Sequence, residues 1–402
     1  MKRDGKSAPT IGYFGAFVSL GMASAALGPT LPALAENTQT QLSEVSYLFT
    51  AHALGYLLGS FQGGRLYDRL PGHIIVISAL FLMSAMLALT PVISTIWLLA
   101  AVMLVMGIAG GAIDVGGNTL LVWVHTRQVG PYMNGLHFFF GVGSFVSPLI
   151  IALVDLATAN LLGAYWILAL LMVPAAVWLL WLPSPAPLPD TQPQQEAGAD
   201  AKATSHFLQK DSVTISLIAL LLFLYVGAEA SFGGWIFTYA VESDLAYSAS
   251  AAYLTSAYWG ALTVGRLLAI PIAFRVRPRW ILFGDLAGCI ASLALILLWP
   301  GSLAALWIGS LGVGLFMASI FPTAVSLAER RLRITGRVTG WFLVGSSLGA
   351  MFLPWLIGQL FEASGPSITM ASVLVAIVSA LGVVVLLTTG AGPVDTTPEA
   401  VV

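Results

Sequence analysis

Asp114 and Asn118 lie four residues apart in GGAIDVGGNTL (residues 110–120), one of the most apolar parts of the sequence. An ionised carboxyl group at the centre of a bilayer costs about 3 kcal/mol, so its presence there needs an explanation. Residues four apart share one face of a helix. Two kinds of chemistry fit the pair: a carboxyl group that loads and releases a proton, or a carboxylate and an amide oxygen that bind Na⁺. A structural hydrogen bond between spans is the alternative.

A second acidic residue, Glu229, lies in YVGAEASFGGWIFTY (residues 225–239), with Gly233 and Gly234 one turn beyond. Glycines at this depth loosen a helix and free backbone carbonyl groups, as in the broken helices of transporters. We therefore expect Glu229 to contact either the cation or a polar substrate. Nearby aromatic residues offer flat faces and hydroxyl groups suited to sugar-like ligands, with packing as the alternative; they are Tyr225, Trp235, Tyr258 and Trp259.

One arginine and two histidines also fall within apolar runs. Arg266 is placed to pair with Asp285 or to extend towards the membrane surface, so both a structural and a functional role are open. His137 and His52 are candidate substrate ligands, with a hydrogen-bonded core histidine as the alternative for each. No spacing is typical of a metal cluster, a catalytic nucleophile or a phosphate-binding loop. We therefore expect neither an enzyme nor a protein with a cofactor.

Membrane-spanning helices must position these side chains. Of the 402 residues, 58% are hydrophobic and 8% are charged, and the mean hydropathy is +0.91, whereas soluble domains carry about 25% charged residues. Apolar runs of about 20 residues predict helices, since barrel strands alternate over about 10 residues. We predict an all-α polytopic membrane protein with twelve helices, at 11–35, 44–64, 73–94, 96–124, 131–155, 161–182, 211–240, 249–274, 280–299, 302–327, 337–361 and 367–389.

The charged residues predict the orientation of these helices. Of the 16 lysine and arginine residues, 15 fall at the N-terminus or in alternate loops, and Arg266 lies in a span. Lysine and arginine mark cytoplasmic loops, so we expect both termini to be cytoplasmic, in a plasma membrane such as the bacterial inner membrane. The charged residues of the opposite loops are all acidic: Glu36, Glu44, Asp155, Glu242, Asp244 and Glu362. The net charge of −2 gives no indication of nucleic-acid binding, and Cys289 has no cysteine partner in the chain.

The sequence also indicates an internal duplication. Residues 183–210 are polar and rich in proline, which predicts a cytoplasmic linker between a six-helix bundle at 1–182 and a second at 211–402, the latter with a short cytoplasmic tail. An offset of 206 aligns Gly21 with Gly227, Gly143 with Gly349 and Pro148 with Pro354. Six spans per repeat leave both halves in the same orientation, with binding expected near the midplane between them.

The charged candidates break this repeat. At the same offset Asp114 aligns with Ile320, Glu229 with Ala23 and Arg266 with Ser60. Because a duplicated frame supplies shape to both halves, we expect the residues that differ between the halves to carry the chemistry.

The loop after the second span contains GGRLYDRLPGH (residues 63–73). It resembles the major facilitator signature G-x-L-x-D-R-x-G-[RK] through Gly64, Leu66, Asp68 and Arg69, although its Pro-Gly-His ending departs from that pattern. The glycine permits close helix approach, and Asp68 can take a base or a helix N-terminus as partner in one conformation. We predict that Gly64, Asp68 and Arg69 form a gate; a solvated turn is the alternative.

Longer segments extend the resemblance over most of both halves. GAIDVGGNTL, PYMNGLHFFFGVGSFVSPL and YVGAEASFGGWIFTYAV are similar to the major facilitator branch of animal sodium-dependent glucose transporters and, more distantly, bacterial fucose permeases. This resemblance implies two pseudo-symmetric six-helix bundles. It also implies that Asp114 is the cation-linked carboxylate, that Asn118 matches an asparagine of the permeases, and that His137 replaces a sugar-binding glutamine. The acid of the permeases' first span is absent here, and Phe140 replaces a sugar-binding asparagine.

The residues and the resemblance together predict a secondary active transporter. We expect symport of a small polar solute, a hexose above all, with Na⁺ or H⁺, by a monomer in the lipid bilayer. Asp114, Asn118 and Glu229 would couple the cation, with Asp114 and Asn118 as its ligands if it is Na⁺. A proton-coupled exporter of amphipathic or drug-like compounds is one alternative, and a non-transporting membrane sensor is another.

Overall fold

The computed structural model describes residues 6–186, 201–332 and 335–389, and it is helical throughout these ranges apart from short connections. Twelve long helices follow one another along the chain. They are α1 (Ser7–Thr38), α2 (Tyr47–Tyr67), α3 (Gly72–Leu89), α4 (Ile96–His125), α5 (Gly130–Thr158), α6 (Ala164–Leu180), α7 (Ala201–Glu242), α8 (Ser248–Ala273), α9 (Pro278–Leu298), α10 in two parts (Leu303–Met317 and Ile320–Glu329), α11 (Gly336–Ser364) and α12 (Ile368–Thr389).

Ten of these helices are long and apolar enough to cross a membrane, by length and composition. In hydrocarbon each backbone polar group must be satisfied within its own segment, which is why such runs are helical. The two remaining helices are α2 and α8, which carry His52 and Arg266 respectively. Both pack on helices of the opposite half, α2 on α11 and α8 on α5, so their polar side chains need not face lipid.

The packing confirms the predicted duplication. In the first half α1 packs on α5, α2 on α4 and α3 on α6, and in the second half α7 packs on α11, α8 on α10 and α9 on α12. A Cβ atom on Gly143 would lie 2.0 Å from the carbonyl oxygen of Val18, and one on Gly349 would lie 2.0 Å from that of Phe223. The two aligned glycines therefore allow the same close helix contact in each bundle.

Most helix ends lie within a few residues of the prediction, and two features differ more. Half of the predicted linker at 183–210, residues 187–200, lies outside the described residues, but α7 begins at Ala201 instead of 211. Residues 201–210 contain no proline, so nothing in them prevents the helix from extending. The predicted tenth span at 302–327 is broken after Met317. Pro322 lacks an N–H group, and its ring collides with the carbonyl group four residues earlier in a regular helix.

The two bundles are joined on the side of the acidic loops. Gln359 Nε2 donates to the carbonyl oxygen of Ser43 at 2.7 Å, and Glu362 Oε1 accepts from the backbone N–H of Leu42 at 3.2 Å. Asp155 accepts a hydrogen bond from the Ser248 hydroxyl. Two of the acidic residues that indicated orientation thus also join the bundles. The described hydrogen bonds between the bundles all lie in this half of the molecule, so the structure is closed on the acidic-loop side.

Candidate cation and substrate site

Asp114 lies at mid-depth on α4, where neutral donors surround its carboxyl group. Tyr56 of α2 donates to Oδ2 at 2.7 Å. Asn118 Nδ2 donates to Oδ1 at 3.2 Å and to the Asp114 carbonyl oxygen at 2.9 Å. The i, i+4 pair expected from the sequence therefore forms. The N–H₂ group of Asn118 makes both of these bonds. Its side-chain oxygen Oδ1 has no hydrogen-bond partner among the described residues.

His137 of α5 lies beside this pair. Its side chain is exposed. The ring meets Phe17 edge-on, with centroids 6.0 Å apart, and it interacts electrostatically with both Asp114 and Arg266. His137 is thus a residue of the first bundle that lies near Arg266 of the second.

Glu229 of α7 and Arg266 of α8 form an ion pair, with Oε1 and Nη2 3.6 Å apart. The two side chains are 16% and 27% exposed respectively. The Tyr225 hydroxyl also donates to the Oε2 atom of Glu229. Of the two possibilities for Arg266, pairing with Asp285 is wrong: Asp285 instead accepts from Ser319 at the break in α10. Helical spacing gave the face on which Arg266 lies, but not which neighbouring helix that face meets.

These residues form one charged cluster that connects the bundles: Asp114, His137, Arg266 and Glu229. Two carboxylates and one guanidinium give it a net charge of −1 when His137 is neutral. Glu229 is neutralised by Arg266, whereas Asp114 receives only uncharged donors. A carboxylate without a cationic partner, held partly open to solvent, is suited to take up a small cation.

The aromatic candidates differ in what their polar atoms contact. Trp235 is fully buried, donates from Nε1 to the Pro354 carbonyl oxygen at 3.0 Å and stacks on Phe361. Its indole N–H group is therefore occupied by protein in this structure. Tyr258 is also buried, with its hydroxyl 3.4 Å from the Glu229 carbonyl oxygen and 3.7 Å from the Met317 sulfur.

Trp259 differs from these because its Nε1 atom is buried without a hydrogen-bond partner in the described part of the chain. Its ring packs against Gly233 and meets the Tyr258 ring at 5.1 Å. The structure therefore places Gly233 of α7 against an indole donor that has no acceptor among the described residues. A buried donor without a partner is costly, so an acceptor supplied by a ligand would stabilise it.

His52 and the gate residues lie apart from the cluster. His52 is half-buried on α2, one turn before Tyr56, and its side chain has no described hydrogen bond or ion pair. Asp68 and Arg69 are exposed at the end of α2. A Cβ atom on Gly64 would meet nothing within 4 Å. The close helix approach expected at Gly64 is therefore absent in this conformation, which is closed at the opposite side.

Among the described residues, no group of three or more His, Cys, Asp or Glu side chains is placed to hold a metal ion. The assignment of Na⁺ to the oxygens of Asp114 and Asn118 therefore stays a prediction. Tyr56 is the site residue that sequence reasoning did not select, whereas Arg266 was considered with both a structural and a functional role open. Tyr56 repeats at helical spacing with His52, and this was the available signal, but only the packing of α2 on α4 shows that its hydroxyl reaches Asp114.

Comparison with known proteins identifies relatives over most of the chain. The Major Facilitator Superfamily model matches residues 13–354. The chain is 30% identical to sodium-dependent glucose transporter 1 of Xenopus laevis, covering 84% of this chain and 73% of that protein. It is 31% identical to sodium-dependent glucose transporter 1A of Mus musculus, covering 86% and 88% respectively. It is 28% identical to human major facilitator superfamily domain-containing protein 4A, covering 89% and 87%.

Solved structures share the fold. The nucleoside transporter NupG superposes with a TM-score of 0.76 at 14% identity, covering 96% of this chain and 99% of that chain. The E. coli fucose:proton symporter FucP superposes with a TM-score of 0.65 at 17% identity, covering 96% and 100%. At these identities the likeness shows the architecture of two six-helix bundles and does not identify a substrate.

Proposed function

Because the chain belongs to the major facilitator superfamily of membrane transporters, we propose that it is a symporter that imports a hexose together with Na⁺ or H⁺. It is a multi-pass membrane protein and not an enzyme. The observation that carries the proposal is the charged cluster between the bundles. Its net charge of −1 leaves one place for a coupling cation.

Asp114 is the cation-binding residue in this proposal. Glu229 already has a guanidinium partner, whereas Asp114 has only the Tyr56 hydroxyl and the Asn118 amide as close donors. Neutral donors orient a carboxylate without cancelling its charge. With Na⁺, the Asn118 oxygen joins the carboxylate as a ligand. With H⁺, the carboxyl group of Asp114 is itself the carrier.

The sugar is proposed to bind beside the cation, between Asp114 and Glu229. We assign two further groups to the sugar: the exposed side chain of His137 from the first bundle, and the unpartnered indole N–H of Trp259 from the second, which is buried here and has to be uncovered by bundle movement. Hydroxyl groups of a hexose can donate to the carboxylates and accept from these N–H groups. The glucose transporters among the relatives support a hexose as the first substrate to test.

Transport is proposed to follow from rocking of the bundle at 1–182 against the bundle at 211–402. The acidic-loop side, closed here, is assigned to the exterior, and the basic loops and both termini to the cytoplasm. Coupling requires that cation and sugar favour the same closed intermediate, so that each raises the affinity for the other. Symport then follows because neither ligand alone stabilises that intermediate as well as both.

Uptake by purified protein in proteoliposomes tests this function. A panel of labelled sugars is supplied with an inward Na⁺ gradient at equal pH, and separately with an inward H⁺ gradient without Na⁺. We expect one gradient to drive accumulation of a hexose above its external concentration. Equilibration of sugar without accumulation under both gradients would refute coupling. Export of an amphipathic dye driven by a proton gradient would favour the exporter instead.

A further inference from the structure

Tyr225 joins Glu229 to the break in α10. Its hydroxyl group faces Glu229 Oε2 and lies 3.0 Å from the carbonyl oxygen of Met317. A phenol carries one proton, so it donates to only one of these two acceptors at a time. The Tyr225 side chain is 1% exposed. Because the site is buried, water does not replace Tyr225 as the donor to whichever of the two acceptors lacks its proton.

The Met317 carbonyl group is unusual because the first part of α10 ends there. Carbonyl groups at the end of a helix lack an amide donor four residues on and depend on another group. The helix resumes at Ile320, where Thr323 donates to the carbonyl oxygen of Ser319. The second part of α10 leads to the basic-loop side. The hydrogen bond to Met317 therefore lies at the break, where the second part can change its direction relative to the first.

We infer that Tyr225 is a positioning residue that links the charge of Glu229 to the direction of the second part of α10. An ionised Glu229 is a stronger acceptor than the Met317 carbonyl oxygen, so the Tyr225 hydroxyl donates its hydrogen bond to Glu229. When Glu229 takes up a proton from the aqueous side, its O–H group donates to the Tyr225 oxygen. The Tyr225 proton then turns to the Met317 carbonyl oxygen, and the break gains a hydrogen bond.

The groups around Glu229 decide when this happens. Tyr225 faces it from α7 and Arg266 and Tyr258 from α8, while His137 of α5 faces Arg266. Arg266 pairs with Oε1 of Glu229, so the switch operates when a ligand or His137 draws the guanidinium away. The inference rests on the proposed function for the identity of that ligand, but the link from Glu229 to α10 does not depend on it.

The test uses ligand-free protein in nanodiscs. Spin labels on Arg275→Cys and Arg330→Cys, in a Cys289→Ala background, report the distance from the end of α8 to the end of α10. Both labelled positions are exposed. Glu229→Gln imitates the protonated acid, because its amide donates to Tyr225. We expect this variant to shift the main distance peak, and the double variant Glu229→Gln/Tyr225→Phe to return it to the wild-type position.

Two matched variants separate this effect from general loosening. Tyr258→Phe removes the other hydroxyl near Glu229 and should keep the wild-type peak. Arg266→Gln removes the guanidinium that opposes the switch, so it should move the peak towards that of Glu229→Gln. If Tyr225→Phe does not fold, the comparison of Glu229→Gln with Tyr258→Phe still tests the inference, because only the first changes the partner of the Tyr225 hydroxyl.

An unshifted peak in Glu229→Gln, or a shift that survives Tyr225→Phe, would overturn the inference. The proposed function fails separately: absence of gradient-driven sugar uptake alongside a normal shift would refute symport alone. Sugar uptake with no shift would refute the Tyr225 link alone.

Discussion

Replacement of Asp114 by Asn is the most direct perturbation of the proposed cation site. The substitution keeps the shape of the side chain, and its Oδ1 atom can still accept from Tyr56. Asn118 keeps its bond of 2.9 Å to the backbone carbonyl oxygen of residue 114. The variant therefore removes one negative charge with little change in packing. We expect its melting temperature to remain close to that of the wild type.

The size of the effect on cation binding follows from Coulomb's law. Two unit charges 4 Å apart attract by about 4 kcal/mol at an effective dielectric constant of about 20. Asp114 is half-buried, so solvent reduces this figure, and we take a loss of about 3 kcal/mol, on the order of a hundredfold in cation affinity. A tenfold cation gradient supplies only about 1.4 kcal/mol per cation. The variant should therefore fail to accumulate sugar at cation concentrations that saturate the wild type.

Counterflow in proteoliposomes separates coupling from folding. Exchange of labelled for unlabelled sugar requires the bundles to rock but needs no net cation movement, so Asp114→Asn should retain it. Asp155→Asn is the matched control, because it also removes one hydrogen-bonded carboxylate but lies on the acidic-loop side; it should retain accumulation. Full accumulation by Asp114→Asn under a tenfold gradient would refute the assignment of the cation to this carboxylate.

Three further predictions concern the site and its frame. Tyr56→Phe removes a hydrogen bond that stabilises the cation-free carboxylate of Asp114, worth about 1.5–3 kcal/mol, and should strengthen cation affinity about tenfold or more in equilibrium binding without abolishing accumulation. Arg266→Gln should lower thermal stability because it leaves the carboxylate of Glu229 unpaired, and the double variant with Glu229→Gln should recover part of the loss. Gly349→Ala should destabilise the protein because its Cβ would lie 2.0 Å from a facing carbonyl oxygen, whereas Gly64→Ala, which meets nothing, should leave the melting temperature unchanged.

The helical frame could be predicted from the sequence because the membrane allows few alternatives. Apolar runs of about 20 residues have to be helices there, and ten of them reappear as candidate spans. The offset of 206 also predicted which helices would pack alike, since Gly143 and Gly349 make the same close contact in the two bundles. These features depend on one segment or one aligned pair at a time.

The break in α10 could not be predicted with the same ease. Pro322 is a signal for it, but prolines also lie inside continuous helices of this chain, at positions 29, 32, 148, 174, 271 and 354. A proline removes one hydrogen bond, and whether the helix then breaks depends on which groups replace it. At α10 the groups that surround the break are Asp285, which accepts from Ser319, and Tyr225, which faces the Met317 carbonyl oxygen, and both contacts come from tertiary packing.

The candidate site was predicted in composition but not in pairing. Asp114, Asn118, His137 and Glu229 come together in the structure, as intramembrane polar residues should if they face the bundle interior. The partner of Arg266 and the role of Tyr56 depend on contacts between helices. Periodicity assigns a residue to a face of its own helix, and it carries no information about the rotation of the neighbouring helix. Trp235 shows the same limit, because its indole N–H group meets a carbonyl oxygen of α11.

The two halves differ chemically at one depth of a shared frame. At the offset of 206, the residues of the break in α10, Ala318 and Ser319, align with Ala112 and Ile113, directly before Asp114. The first bundle thus holds a carboxylate on a continuous helix where the second holds a break. A ligand shifts a conformational equilibrium only by its difference in affinity between the states. An acid on one bundle and a flexible helix on the other provide such a difference, because movement of α10 changes the surroundings of Glu229 and Arg266 while Asp114 stays fixed to α4.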